Sequence, residues 1–348
     1  MVALSPFSDA RCYTARELQD IRGVRMAARF ASAGEEYDSA RTAAVVFDRS
    51  DRGLVILTGA DRRAWLHNLV TNTVSALSEH AGVYAFALNV KGRILFDLNI
   101  LCLPKMLWLD VDAQAVPVAA AHFDRHLFKE DVKIVDGGGQ YARLGCGGAR
   151  AAELAERLDV SNFKALPALA TVPLADGSVH LLRHDALGAP GFELVVPRGD
   201  AGAWLDRLVE MGARPIGYHT LDLLRIEAGI PWLGSDFADD VLPPETGQLE
   251  RGVSFHKGCY LGQEVIERMR AHGALARRLV QLRVADGAGL ALPAVLRRDG
   301  LEVGRVTSLV PHPRKPHWPG LGYLKTSVTG YADITVGDPP RPVTICSK

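Results

Sequence analysis

Hydrophobic and polar positions change period along this chain in an order that lays out its layers. Residues 45–58, VVFDRSDRGLVILT, read as two short strands on either side of a polar turn. In the following ADRRAWLHNLVTNTV, Asp61 is placed to cap a helix whose Trp65, Leu66, Leu69 and Val70 share one face. Residues 82–100, GVYAFALNVKGRILFDLNI, predict two strands joined near VKGR. Strict alternation in the second puts Ile94 and Phe96 on one side and Leu95 and Asp97 on the other. Further strands at 107–111 and 132–135 flank a helical AVPVAAAHFDRHLF. After the glycine-rich DGGGQ at 136–140, a similar order of elements returns without a repeat of sequence. ARLGC, VHLLRH and GFELVVP are strands. GARAAELAERL and GDAGAWLDRLVEMG are helices, the second stopped by Gly212, and HTLDLLRIEAG is a short helix closed by Gly229 and Pro231.

From Leu279 the pattern becomes all-β, with short strands and turn signals between them. Asp299-Gly300 is a type I′ hairpin turn, and Gly304 falls where the alternation slips, as at a bulge. The fold class is therefore α+β: two α+β domains of helices on antiparallel sheets, plus a C-terminal β-barrel. The expected boundaries are an N-terminal segment 1–50 packing on the α+β core, a first domain 51–137, a second domain 138–275 and the barrel 276–348.

Composition narrows the function classes. Forty Lys and Arg balance forty Asp and Glu, which removes the electrostatic argument for a nucleic-acid partner or an anionic membrane. The five cysteines include no CxxC pair and no His/Cys cluster with zinc spacing. This pattern predicts free thiols, no metal site and a reducing compartment. With no charged-then-apolar signal at the start, a cytoplasmic protein is expected.

One cysteine stands apart. SFHKGCYLGQEVIERMR, residues 254–270, sets Cys259 before a helix on which Leu261, Val265, Ile266 and Met269 share a face. A helix starting at about Tyr260, with Lys257 adjacent, would favour a reactive thiolate at Cys259. The alternative is a small buried hydrophobe, the common fate of a free cysteine.

KGCYLGQE, residues 257–264, resembles the signature of the YgfZ family, folate-binding proteins related to the T-protein (aminomethyltransferase) of the glycine cleavage system. TGADRRAWLHNLVTNTV, LNVKGRILFDLNI, GAPGFELVVP, LDLLRIEAGIPWLGSDF and GRVTS resemble further segments of that family, in the same order over about residues 45–330. The resemblance implies a ring of the two α+β domains and the barrel around a central folate-binding cavity. Its ligand would be tetrahydrofolate or a one-carbon derivative.

By the same resemblance, Glu193 pairs with the pterin, and Arg225 and Gln263 complete the cofactor-binding set. Cys259, Lys257 and Asp97 are the candidate catalytic residues. Asp97 lies in GRILFD, where the T-protein has a pair of acids; here one is Phe96, and Arg93 replaces a glycine. The function so implied is a tetrahydrofolate-binding accessory protein for assembly or repair of iron–sulfur clusters, with folate and, transiently, iron–sulfur client or assembly proteins as partners. The first alternative is a folate-dependent aminomethyltransferase or methyltransferase of the T-protein type, using Asp97. The second is a non-catalytic folate-binding module.

Overall fold

The computed structural model describes residues 3–273 and 275–346. It opens with a small sheet of β1 (Ala3–Leu4), β2 (Glu17–Ile21) and β3 (Val24–Arg29), in which β3 lies between the other two. The β2–β3 turn places Arg22 at φ +50°. The helix α1 (Ala33–Thr42) follows. Ser32 and Glu35 begin it with a reciprocal capping box, each satisfying an amide that would otherwise lack a partner.

The two strands expected at 45–58 form, as β4 (Val45–Asp48) and β5 (Arg52–Thr58), but they enter different sheets. The first α+β unit adds α2 (Arg62–His67), β6 (Gly82–Leu88), β7 (Ile94–Leu103), β8 (Met106–Asp112), α3 (Val116–Arg125) and β9 (Lys133–Asp136). Its antiparallel sheet has the order β6-β7-β8-β5-β9.

The second unit contains β10 (Tyr141–Gly147), α4 (Ala151–Glu156), β11 (Thr171–Leu174), β12 (Val179–Arg183), β13 (Phe192–Pro197), α5 (Ala201–Glu210), β14 (Arg214–Pro215) and α6 (Tyr218–Glu227). Its sheet order is β11-β12-β13-β10-β4-β14, so β4 is an inner strand of this unit although it precedes the first. Residues 45–48 therefore belong to the second sheet and not to a segment merely packed upon it.

A long connection carries α7 (Leu249–Gly252) and α8 (Gln263–His272). The chain ends in a closed barrel of β15 (Arg277–Val284), β16 (Ala294–Arg298), β17 (Leu301–Leu309), β18 (Trp318–Lys325), β19 (Thr335–Val336) and β20 (Arg341–Cys346). Closure leaves no unpaired sheet edge, which is why such short strands hold together. Asp299 and Gly300 both have positive φ, as a type I′ turn requires, and the bulge falls beside Gly304.

Each sheet buries one face under its own helices. Trp65, Leu66 and Phe123 cover Phe96, Leu98 and Leu107 of the first sheet. Leu154, Trp204 and Leu205 cover Leu144, Leu181 and Leu194 of the second. The opposite faces meet each other. Leu54, Ile56, Leu101 and Trp108 share a core with Leu182 and Val195. Because side chains alternate along strands, polar residues in phase with this inner core are carried into the interior.

Strict alternation fails at one point in β7. Leu88 pairs with Ile94 but Ala87 pairs with Phe96, so β7 carries one extra residue. Ile94 joins the inner core, whereas Leu95 and Phe96 both turn toward the helix-covered side. Asp97 therefore faces inward with Asn99 beyond it, and not beside Leu95 as the pattern suggested. No helix among the described residues is long and apolar enough to cross a membrane.

Candidate functional site

The inner faces of the two sheets end in a chain of buried ion pairs. Glu193 on β13 is completely buried. Its carboxylate accepts from Arg49 Nη1 at 3.1 Å, from His184 Nδ1 at 2.8 Å, and from Arg143. Arg49 continues to Asp51, with Nε–Oδ1 at 2.9 Å. Arg143 crosses to Asp110 of the first sheet, which also accepts from Arg52 Nε at 2.8 Å and from Asn99 Nδ2 at 2.6 Å. Neighbouring guanidiniums outweigh burial and hold both acids in their charged form: Asp110 is pushed down to about 2, and Glu193 well below the carboxylate range. Oε1 of Glu193 takes two of these donors and Oε2 takes Arg143.

Asp97 lies in the same interior with a different balance. Its Oδ2 accepts from Tyr84 Oη at 3.0 Å, while its buried Oδ1 has no partner among the described residues. Burial raises its pKa, opposed by Arg52, the Tyr84 hydrogen bond and Arg251. The Arg251 guanidinium sits 4.0 Å from the centroid of the Tyr84 ring. An unsatisfied buried carboxylate oxygen costs free energy unless a ligand supplies a donor, so Asp97 is the acid of this region with unfilled hydrogen-bonding capacity.

Arg225 is committed to a third cluster. Its Nε donates to Asp222 at 2.7 Å, Nη1 pairs with Asp236, and Nη2 reaches Ser308 Oγ on the barrel at 2.8 Å. Asp236 in turn accepts from Thr307 and Ser308, both at 2.7 Å. This knot fastens α6 and the 230–237 loop to the barrel. Above it lies Trp232, whose ring has Arg225, Arg22 and Arg49 at 4.7, 5.5 and 5.9 Å. Arg22, projecting from the N-terminal hairpin, also bonds Tyr218, Ser235 and the Leu233 carbonyl and pairs with Asp112. Trp232 is thus where the N-terminal sheet, the second unit and the barrel-bound loop converge. Its ring is half-buried and packs against Tyr218 at a centroid distance of 5.7 Å.

The loop carrying Cys259 docks elsewhere. Although it follows the second unit in sequence, it packs on the first. Lys257 Nζ donates to three carbonyls at and just past the end of α2: Val70 at 2.7 Å, Asn72 at 3.0 Å, and His67. Three N–H donors meet three acceptors, so this lysine is a clamp and not a free base. Burial nevertheless pulls its pKa down to about 8.

Gly262, at φ +83°, begins α8, and a side chain there would strike the Asn89 carbonyl at 2.6 Å. The helix therefore starts at Gln263 and not at about Tyr260, and its amide end does not abut the sulfur. Gln263 Oε1 accepts from the Tyr260 amide at 3.3 Å, and Cys259 is exposed. No hydrogen bond or ion pair among the described residues joins Cys259, Lys257 or Gln263 to Asp97, Glu193 or Arg225. Lys257→Met is expected to lower stability by about 1–3 kcal/mol, the cost of stranding buried acceptors. Urea unfolding checks this, and an unchanged midpoint would show that the loop is anchored by other contacts.

The sequence reading missed Arg49, Arg143, Asp110, Tyr84, Trp232 and Arg22. Asp110 and Arg143 had a readable signal, a charge between two apolar neighbours within a strand.

Comparison with known proteins places this arrangement. The GCVT N-terminal domain family matches residues 6–257, most of the chain. The chain belongs to this family. Over 345 residues the GCVT-family chain is 29% identical to a protein of Rubrobacter xylanophilus named aminomethyltransferase, covering 97% of this chain and 91% of that one. A Caldanaerobacter subterraneus protein of the same name is 28% identical, covering 83% and 79%. The fold matches the crystal structure of the glycine cleavage system aminomethyltransferase T from Bartonella henselae, with a TM-score of 0.89 at 20% identity over 100% of this chain and 97% of that one.

The family agrees with tetrahydrofolate as the ligand. It overturns the iron–sulfur accessory function expected above. Relatives along nearly the whole chain are named for aminomethyl transfer, and the eight-residue signature that suggested otherwise covers only one loop.

Proposed function

We propose that this GCVT-family protein transfers a one-carbon unit from an aminomethyl donor to tetrahydrofolate. The observation that carries this reading is Asp97: a buried carboxylate on β7, held on one oxygen by Tyr84 and without a partner among the described residues on the other. Tetrahydrofolate supplies the amine nitrogens that take up the carbon. The chain supplies a buried acid at Asp97, with one oxygen left to accept an N–H and hold its proton. Burial raises the pKa of Asp97 toward the range in which proton exchange with an amine is useful.

In this reading Glu193 is a positioning residue. It fixes Arg49 and Arg143, and through them the spacing of the two sheets around the ligand. Arg225 similarly fixes Trp232 by holding Asp236 and the barrel. Lys257 and Gln263 set the loop on the edge of the first unit and leave the Cys259 thiol exposed for reaction with a partner arriving from solvent. The resemblance of KGCYLGQE to the YgfZ signature supports a Cys-loop branch within the family.

The test is direct. Purified protein, tetrahydrofolate and an S-aminomethyl thiol should yield methylene-tetrahydrofolate, free ammonia and the free thiol in equal amounts. Tight folate binding with no transfer from any aminomethylated thiol or amine donor would instead support the non-catalytic folate module.

A further inference from the structure

A cleft lies at the seam between α6 and the barrel, away from the ion-pair chain of the two sheets. It encloses about 450 Å³. Its cationic lining comes from three parts of the fold: Arg41 at the end of α1, Arg283 on β15, and Lys315 and His317 in the β17–β18 loop.

The one carboxylate in its lining is Glu227. That carboxylate already accepts from Lys315 at 2.8 Å, His312 and Tyr37 at 3.1 Å each, and Arg41. Arg283 is exposed, and its side chain forms no hydrogen bond or ion pair with a described residue. Arg41, Arg283 and Lys315 against Glu227 leave a formal charge of +2 before His317 takes a proton (3 − 1). The field is felt locally. After burial, Arg283 and Lys315 hold His317 below its usual pKa, with Glu227 opposing.

The end of α6 does not cancel this charge. Its last carbonyls are already taken, those of Leu224, Arg225 and Ile226 by following amides and those of Ile226 and Glu227 by Gln281 Nε2. The Gln281 bonds also tie the helix to β15, so the cleft wall is built and not dependent on a ligand. Leu187, Ala189 and Pro319 add an apolar side to a lining that is mostly polar.

We propose that this cleft binds a phosphate monoester, with Arg283, Lys315 and Arg41 on the phosphoryl oxygens and the organic group against the Leu187–Pro319 side. A planar guanidinium and a lysine ammonium are the donors that recognise a phosphoryl dianion, and the volume exceeds what inorganic phosphate alone would fill.

The experiment titrates the full chain calorimetrically with inorganic phosphate, phenyl phosphate and succinate at constant ionic strength. The wild type should bind phenyl phosphate more tightly than phosphate, and both more tightly than succinate. Arg283→Ala should weaken phenyl phosphate by about tenfold or more, the loss of a charge-assisted bond. Tetrahydrofolate affinity should stay unchanged. Arg283 is exposed and outside every packed cluster, so its replacement leaves the fold intact. Equal binding by wild type and Arg283→Ala, succinate binding as tightly as phenyl phosphate, or no heat beyond a chloride control would each overturn the proposal.

Discussion

Asp97→Asn is expected to slow one-carbon transfer by about 10²–10⁴-fold, the usual contribution of a positioned acid or base. Folate affinity should fall by about tenfold, because the amide nitrogen that replaces the free oxygen cannot accept the ligand N–H. The amide oxygen of Asn can still accept from Tyr84 Oη, so the local hydrogen bond survives. What disappears is the ability to take a proton on the oxygen that has no partner. Single-turnover formation of methylene-tetrahydrofolate separates this loss from binding.

The pH profile gives an independent reading. Burial raises the pKa of Asp97, so the wild-type rate should climb as pH rises through that value and then level off. The residual rate of Asp97→Asn should lack that limb. A variant within threefold of wild type at every pH would remove Asp97 from the chemistry and leave the proposed transfer without its acid.

The fold was legible because its signals were local. Period, caps and glycine stops are written within a few residues of where they act. Helix stops at Gly212 and Gly229 and the I′ turn at Asp299-Gly300 all appear where their backbone conformations demand. The topology was harder. Nothing in VVFDRSDRGLVILT says that its two strands enter different sheets, because strand partners are chosen by contacts about fifty residues away for one and about a hundred for the other. The extra residue in β7 was hidden for a related reason. An apolar Leu95 suits either face, and only pairing with β6 shows that it shares the helix-covered side with Phe96.

The site was legible by residue type more than by role. Asp97, Glu193 and Arg225 were all marked by resemblance, and all three lie buried in the interior. Their partners decide what each can do, and those partners come from distant segments. Arg49 and Arg143 occupy Glu193; Asp222, Asp236 and Ser308 occupy Arg225. Lys257 looked like an activator of Cys259 because the two are adjacent in sequence, yet its ammonium points at carbonyls near residue 70. An eight-residue motif carried more weight toward function than its local packing supports, whereas the similarity spread over the whole chain pointed to aminomethyl transfer.

Glu193→Gln should cost stability, and the loss should fade in acid. At neutral pH the carboxylate is the shared counter-charge of Arg49 and Arg143, both buried. Breaking a buried pair by removing one partner costs about 3–5 kcal/mol. The lower end applies here, because Arg49 keeps Asp51 and Arg143 keeps Asp110. The native pKa of Glu193 lies well below that of the unfolded chain, and that of Asp110 is about 2. Between the two values the unfolded state binds more protons than the native state, so stability rises with pH there. The contribution of Glu193 is thus fully present above the unfolded glutamate value of about 4.3 and is lost as pH falls toward the native one. Urea unfolding at pH 7 should show a gap of about 3 kcal/mol between wild type and Glu193→Gln. Near pH 3 the gap should shrink, because wild type is then losing what the variant never had. A gap that holds constant from pH 7 to pH 3 would assign the effect to packing. A variant as stable as wild type at pH 7, but with folate affinity reduced tenfold or more, would return Glu193 to direct contact with the pterin.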